Sequence, residues 1–467
     1  MLALFWTDIL IFFLLTLACT YGIYASRKEH LRAPWREVGR SGVAMSALVV
    51  LAVYVAIGLL DSIHYRPALD TLEETGEVQY SPEVLSLFDK LVSGLRERSE
   101  KTYSAPFAVH LYSKETVELP GGIQQRRFPR LNYGGAHLLD PADRYSDIAR
   151  IFFLAVAKSV LLWIFLYLVV QKLSGQKKIW GVRGLPEKKP ADHAAINWCV
   201  ILFSLLAVII VAWVAIDLSQ KYHILGTDKI GDDVFYQTLK SIRTGLVIGT
   251  LTTLVMLPFA ILLGLMAGYF GGWVDDVIQY LYTTLNSIPS VLLIAAAILM
   301  MQVYIDNNAE DFASVAERAD LRLLFLCLIL GVTSWTGLCR FLRAESLKLR
   351  EIDYVQSAVA LGAGHITIIG RHILPNVMHI VLITVVLDFS GLVLAEAVLS
   401  YVQIGVDPTT NSWGNMINSA RLEMAREPVV WWSLTAAFIF MFTLVLAANL
   451  FSDAVRDAFD PRLRSVA

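Results

Sequence analysis

Long apolar runs separated by short basic loops set the pattern of this chain. Nine runs stand out, at 2–24, 43–60, 151–171, 196–216, 244–269, 277–303, 321–342, 377–399 and 430–451. Roughly 20 mostly apolar residues suffice to cross a hydrocarbon core about 30 Å thick. The pattern therefore predicts nine membrane-crossing helices and an all-α, polytopic bundle.

Lysine and arginine in the loops orient the bundle. Arg27, Lys28, Arg32, Arg36 and Arg40 follow the first run, and Lys172, Lys177, Lys178, Arg183, Lys188 and Lys189 follow the third. Arg343, Lys348, Arg350 and Arg371 follow the seventh, and Arg456, Arg462 and Arg464 lie in the tail. With nine spans all four clusters share one side, expected to be cytoplasmic, which places the N-terminus outside and the C-terminus inside. The loop at 270–276 carries Asp275 and Asp276 without a cation, but it is too short to reverse the other four. Asp8 precedes the first run and Arg27 and Lys28 follow it, the reverse of a secretory signal, so an uncleaved span is expected.

Residues 61–148 break the apolar pattern with a polar insert on the outer side. Pro67, Pro82, Pro106, Pro120, Pro129 and Pro141, with Gly121-Gly122 and Gly134-Gly135, punctuate it into short elements. Within it, 82–100 has helical spacing, with Val84, Leu85, Leu87, Phe88, Leu91, Val92 and Leu95 on one face. A packing or docking appendage is the plainest role for such an insert.

Composition agrees with the pattern. Of 467 residues, 56% are apolar and 17% charged, and mean hydropathy is +0.57; soluble domains sit near 45–50% and about 25%. Disordered, collagen-like and disulfide-framework classes are excluded. The net charge of −2 offers no bulk attraction for nucleic acid. Cys19, Cys199, Cys327 and Cys339 lie in or beside apolar runs and none in the insert, so no structural disulfide is expected.

The segment 353–376 carries the most specific signal. Its first part has good helix formers and small residues, Gly362 and Gly364 stop it, and Pro375 suits the first turn of the next span. A short helix with small residues at a membrane surface suits insertion into a groove on another protein. Gln356-Ser357-Ala358, Gly362 and Leu374-Pro375 resemble the coupling loop of ABC importer permeases. The ending Arg371-His372-Ile373-Leu374-Pro375-Asn376 resembles their dipeptide and oligopeptide branch. Similar segments follow in family order at Leu225-Gly226-Thr227-Asp228, Ala267-Gly268-Tyr269-Phe270-Gly271-Gly272, Glu396-Ala397-Val398-Leu399-Ser400, Ser412-Trp413-Gly414-Asn415-Met416 and Asp460-Pro461-Arg462. Departures are Gln356 for the usual Glu, Ser357 for Ala, Val359 for a basic residue, Asp232 for Arg and Gln403 for Gly.

The resemblance implies a six-span permease core over 196–467, preceded by two spans at 1–60, the insert at 61–148 and an extra span with its basic loop at 149–195. An added hairpin of spans three and four is the alternative division. It also implies a second permease subunit, two ATPase subunits, an extracytoplasmic solute-binding protein and a bacterial inner membrane. Gln356, Ser357, Ala358, Leu361, Gly362, Leu374 and Pro375 would couple this chain to the ATPase, with Ala358 on the face that enters the groove. ATP and magnesium would belong to the partners, because the chain has no Gly-xxxx-Gly-Lys-Ser/Thr phosphate loop. It also lacks Gly-x-Ser-x-Gly and His-Glu-xx-His, against a membrane hydrolase.

Asp388, Glu396 and Asn449 are candidates for the pathway or for helix packing, since polar groups inside spans are costly. Gly245, Gly249, Gly264 and Gly268 are expected to serve close packing. His365 and His372, seven apart without carboxylates or thiols, do not suggest a metal site. Two rival functions remain at this stage: an ion-coupled secondary transporter, which would favour inverted repeats not visible here, and a sensory or transport-inactive scaffold, which the Gln356 departure keeps open.

Overall fold

The computed structural model of the chain describes residues 2–27, 29–68, 80–119, 123–174, 197–308, 310, 312 and 314–459. Lys28, Pro120, Gly121-Gly122, the cations of the loop at 177–189 and the tail arginines Arg462 and Arg464 lie outside them. A short strand β1 (Leu2–Ala3) leads into α1 (Trp6–Ser26), an amphipathic α2 (Glu29–Arg40) and α3 (Gly42–Asp61). The insert forms a lobe of β2 (His64–Tyr65), β3 (Leu85–Ser86), α4 (Leu87–Leu91), α5 (Ser93–Arg96), β4 (Glu115–Leu119) and β5 (Ile123–Arg127). After it come α6 (Arg144–Ser174), α7 (Trp198–Ser219), α8 (Val234–Phe270), α9 (Gly272–Ser287), α10 (Ser290–Asn307), α11 (Val315–Ser334) and α12 (Thr336–Arg350). The last stretch holds α13 (Asp353–Ala360), α14 (His365–Ile368), a π turn (Ile369–Ile373), α15 (Leu374–Tyr401), α16 (Trp413–Glu423) and α17 (Trp432–Phe459).

Among the described residues, nine helical segments are long and apolar enough to span a membrane, as the pattern predicts. Two local expectations fail. The run 277–303 is not one helix: α9 ends at Ser287, Ile288 is extended at φ −90° and ψ 128°, and α10 starts at Ser290. Pro289 causes the break, because it has no N–H to donate and disfavours a helical residue before it. Likewise 82–100 is not one helix. Leu85-Ser86 pairs with Tyr65-His64 as the edge of a three-stranded antiparallel sheet. Ser86 then restarts the chain as an N-cap, in a reciprocal capping box with Asp89.

Helix α8, 37 residues long and so about 55 Å, runs between the two ends of the bundle. Its C-terminal half packs on α12 across a glycine seam. A Cβ on Gly264 would stand 2.8 Å from Leu342 Cβ, and one on Gly268 would stand 2.6 Å from the Arg343 carbonyl. Gly245 and Gly249 instead make room for the rings of Trp413 and Phe389. Helix α3 joins α17 through Tyr54, whose hydroxyl donates to the Phe440 carbonyl at 2.9 Å. Helices α6 and α7 form a hairpin, tied by Trp163 Nε1 donating to the Leu202 carbonyl at 2.7 Å and by Lys158–Asp217 at 2.8 Å.

The lobe is fixed to the first turns of α8 by buried charge. Lys240 Nζ lies 3.0 Å from Asp61 and 2.6 Å from Asp89, and Tyr236 donates to Asp89 at 2.7 Å. One turn on, Arg243 lies 2.7 Å from Asp8 of α1, which also meets His64 Nδ1 at 2.7 Å. His223, just before α8, is enclosed by Asp233 at 2.7 Å and Glu100 at 3.5 Å. Burial alone would lower the His223 pKa. The hydrogen bond to Asp233 and the nearby charge of Glu100 outweigh it and raise the value to about 9.

Candidate coupling site

At the other end of α8, the chain turns through 353–376 as the glycines and Pro375 predict. Helix α13 ends at Ala360, and Gly362 takes φ +79° with its carbonyl-side turn closed by Ala363 N donating to Ala358 O at 3.0 Å. No atom lies within 4 Å of a Cβ built on Gly362, so a substitution there meets strain in φ and not a clash. Pro375 sits in the first turn of α15. Lacking an N–H, it leaves the Arg371 carbonyl without the usual i+4 donor, which accounts for the wider π turn just before it.

Val355, Ile368 and Ile373 are fully buried in a cluster with Leu265, Leu349, Val377 and Val381, which fastens this corner to α8, α12 and α15. Polar contacts add to it. Tyr269 Oη lies 2.9 Å from His365 Nδ1, Asn376 Nδ2 donates to Tyr354 Oη at 2.9 Å, and Arg350 Nη1 donates to the Tyr269 carbonyl at 3.3 Å. Behind the corner, Arg343 grips Asp275 with two parallel bonds of 2.5 and 2.6 Å. The hydrogen bond from Arg343 holds the Asp275 carboxyl below its usual pKa, against the opposing effect of burial.

One expectation changes here. Ala358 does not face outward: it is 9% exposed and shares the inner face of α13 with Val355. The two are three residues apart, so one helical face carries both into the core. Gln356, Ser357, Val359 and Ala360 make the outer face, and Leu361 and Ile366 form its tip, each 88% exposed. Leu374 and Pro375 belong to the base of the corner, where α15 begins. His372 stands beside the Tyr354 ring, with centroids 6.2 Å apart.

The three span candidates are placed separately. Asn449 Oδ1 accepts from Ser390 Oγ at 2.7 Å and joins α17 to α15. Glu396 is buried at the far end of α15, accepts from Ser400 Oγ at 2.7 Å and leaves no room for a side chain at Gly414. Asp388 is half-buried and makes no side-chain hydrogen bond or ion pair among the described residues. Sequence reading missed the Arg343–Asp275, Tyr269–His365 and Tyr354–Asn376 pairs. Each joins positions 22 to 96 residues apart, and only covariation across relatives would have linked them.

The structure is that of a multi-span α-helical membrane protein with a compact, apolar-tipped corner at one end of the bundle. Residues 260–465 match the family described as the binding-protein-dependent transport system inner membrane component. The glutathione transport system permease protein GsiD of Pectobacterium atrosepticum is 32% identical over 245 residues, covering 52% of this chain and 74% of that protein. The oligopeptide transport system permease protein OppC of Mycobacterium tuberculosis is 31% identical over 244 residues, covering 52% and 77%. The dipeptide transport system permease protein DppC of Lactococcus lactis is 29% identical over 244 residues, covering 52% and 65%. The chain belongs to this family of inner-membrane ABC importer permeases.

Proposed function

We propose that this chain is one permease subunit of an ATP-driven importer for peptides, and that the 353–376 corner couples it to an ATPase. The observation that carries the coupling role is the pair Leu361 and Ile366, both 88% exposed at the tip of a corner that Val355, Ile368 and Ile373 anchor in the core. Large apolar side chains held in the open on a rigid turn suit a groove on a partner. In this reading Leu361, with Gln356 and Ser357, makes the contact. Ala358, Gly362, Leu374 and Pro375 shape the corner from within.

A second permease subunit completes the pathway, two ATPase subunits bind and hydrolyse ATP with magnesium, and an extracytoplasmic solute-binding protein delivers the ligand. This chain has no phosphate loop and contributes no covalent chemistry. The corner is cytoplasmic and the lobe extracytoplasmic, following the basic loops. ATP binding would then bias the complex between outward-open and inward-open states through its different contacts with each. The named relatives carry glutathione, oligopeptides and dipeptides, which supports a peptide as cargo.

The test is Leu361→Glu combined with Ile366→Glu in the assembled importer. Both side chains are exposed, so the melting temperature should stay within a few degrees. ATPase co-purification and peptide uptake into proteoliposomes should fall at least roughly tenfold, since an introduced charge at a desolvated contact costs more than 1.4 kcal/mol. Normal uptake by the double variant would show that the corner is an ordinary surface turn.

A further inference from the structure

The break between α9 and α10 stands in the middle of a membrane crossing. Asp276 lies 11 residues before Ser287, and Gln302 lies 12 after Ser290. Each half is therefore roughly 17 Å long, at about 1.5 Å per residue. Together the halves match a hydrocarbon core about 30 Å thick, with the break near its midpoint. Asn286 agrees with that depth. Its Oδ1 accepts from Thr336 Oγ1 at 3.1 Å, and Thr336 lies in the interior of the 36-residue span 315–350.

Lipid is a poor neighbour for this stretch. Thr283, Thr284 and all of 286–292 are exposed. Ile288 is extended and Pro289 takes ψ 118°, so the last carbonyls of α9 and the first amides of α10 lack helical partners. Ile288 N donates to the Leu285 carbonyl at 3.3 Å and Ser287 Oγ to the Thr284 carbonyl at 2.7 Å, but no side chain caps α10. The hydroxyls of Thr283, Thr284 and Ser290 make no hydrogen bond among the described residues. Exposed hydroxyls on other spans differ. Thr16 donates to the Phe12 carbonyl at 2.8 Å, Thr435 to Trp431 at 3.0 Å and Thr443 to Ile439 at 2.7 Å. A hydroxyl facing lipid has only its own helix to bond, whereas irregular backbone at membrane depth lines water or protein.

Helix α15 brings a second polar group to the same level. Leu285 of α9 and Val385 of α15 border one buried cluster, and Asp388 follows Val385 by three residues, on the same face. Its carboxylate has no partner among the described residues. Gly391, next on that face, has open space beside it. An unpaired charge at the bilayer midpoint calls for water.

We propose that the α9–α10 break lines a water-filled section of the transport path at the bilayer midpoint. There the hydroxyls of Thr283, Thr284 and Ser290, which both donate and accept, hydrogen-bond the amide groups of the passing cargo. The inference deepens the importer reading and rests on it for the cargo, a peptide.

The assembled importer in lipid nanodiscs, with Cys19→Ser and Cys199→Ser to remove the exposed thiols, provides the test. Thr284→Cys and Ser290→Cys are treated with a charged methanethiosulfonate, beside Phe165→Cys on the apolar face that α6 forms with Leu161 and Leu168. An apolar setting raises a thiol's pKa, and each unit removes about tenfold of the reactive thiolate. The break positions should therefore react at least roughly tenfold faster than Phe165→Cys. Their rates should change when vanadate traps the ATPase subunits, and trialanine should slow them during ATP turnover. Thr284→Val combined with Ser290→Ala should lower trialanine uptake about fivefold or more, as for one or two lost hydrogen bonds. Melting temperature and ATPase co-purification show that each variant folds and assembles.

Reaction no faster than at Phe165→Cys overturns the proposal. So does a fast rate indifferent to vanadate, the mark of a static water pocket, and so does wild-type uptake in the double variant. Fast, vanadate-sensitive reaction that trialanine leaves unchanged upholds the wet path and removes support for a peptide as cargo.

Discussion

At the lobe end, Lys240, Arg243 and His223 each sit between buried carboxylates drawn from different elements. At the α13 end, the outermost groups are the bare side chains of Leu361 and Ile366, and the corner is tied down mainly by apolar burial and neutral hydrogen bonds, with Arg350 on the Tyr269 carbonyl and one partly exposed ion pair, Arg343–Asp275, behind it. A buried ion pair is strongly destabilising to break, so it resists sliding. Apolar contacts and single neutral hydrogen bonds are non-directional or modest, so they tolerate small shifts. The lobe end is built to stay as one piece with α1 and α8. In the proposed coupling role, the α13 end meets a partner and passes a small displacement into α8 and α12.

The largest expected effect tests the rigid end. Lys240→Ala removes the cation between Asp61 and Asp89 and leaves two buried carboxylates facing each other. Breaking a buried pair in this way costs about 3–5 kcal/mol. The lobe should become sensitive to trypsin within residues 80–119, while ATPase assembly at the α13 end survives. Wild-type trypsin resistance would mean that the lobe is held instead by the apolar cluster its Tyr103 forms with Val430 and Trp432.

Next in size is a dependence on pH. His223 is raised from 6.5 to about 9 in the folded chain, so between those values the folded state holds a proton that the unfolded state releases. The stabilisation is complete below about pH 6.5 and lost as pH rises through 9. It amounts to about 3 kcal/mol, at 1.36 kcal/mol for each pH unit. The melting temperature of the full chain should therefore fall between pH 6.5 and 9, and His223→Gln should flatten that slope. An unchanged slope in the variant would place the titrating group elsewhere.

The unequal legibility of the two ends has the same physical origin. Spans, the glycine stop at Gly362 and the start of α15 at Pro375 depend on residues close in sequence, so hydropathy and backbone preference reveal them. Ala358 is ambiguous in the sequence because a small residue on a short helix reads equally well as an exposed contact or as inner packing. The fold decides through Val355, its neighbour on the same face. The lobe clamp is invisible for another reason. Asp8, Asp61, Asp89, Lys240 and Arg243 look like ordinary polar residues near span ends, and only their tertiary convergence turns them into a network. The break at Pro289 could have been read from the proline itself, but the unbroken apolar run concealed it.

A third effect, smaller again, lies on the seam between the ends. Gly268→Ala places a Cβ 2.6 Å from the Arg343 carbonyl, where backbone cannot rotate away. Overpacking of this kind costs about 1–3 kcal/mol. Because Arg343 also holds Asp275, the displacement should reach the α13 end. Reduced ATP-driven uptake is expected with the lobe still trypsin-resistant. Loss of the lobe's resistance in Gly268→Ala would show that the two ends are one mechanical unit.

The smallest effect compares one hydroxyl at each end. Tyr269→Phe removes the link to His365 Nδ1 and keeps the ring packed against it. Tyr236→Phe removes a donor to Asp89 and keeps the Lys240 pair. Each loses a single hydrogen bond, about 0.5–1.5 kcal/mol for a neutral one and somewhat more where the acceptor is a carboxylate. If the lobe end is static, Tyr236→Phe should lower the melting temperature slightly and leave peptide uptake per ATP unchanged. If the α13 end transmits motion through α14 to α8, Tyr269→Phe should barely alter melting but lower uptake per ATP. Both are measured on the assembled importer in proteoliposomes. Equal coupling losses in the two variants would remove the distinction, because the buried charge at the lobe end would then be moving with the transport cycle and not anchoring it.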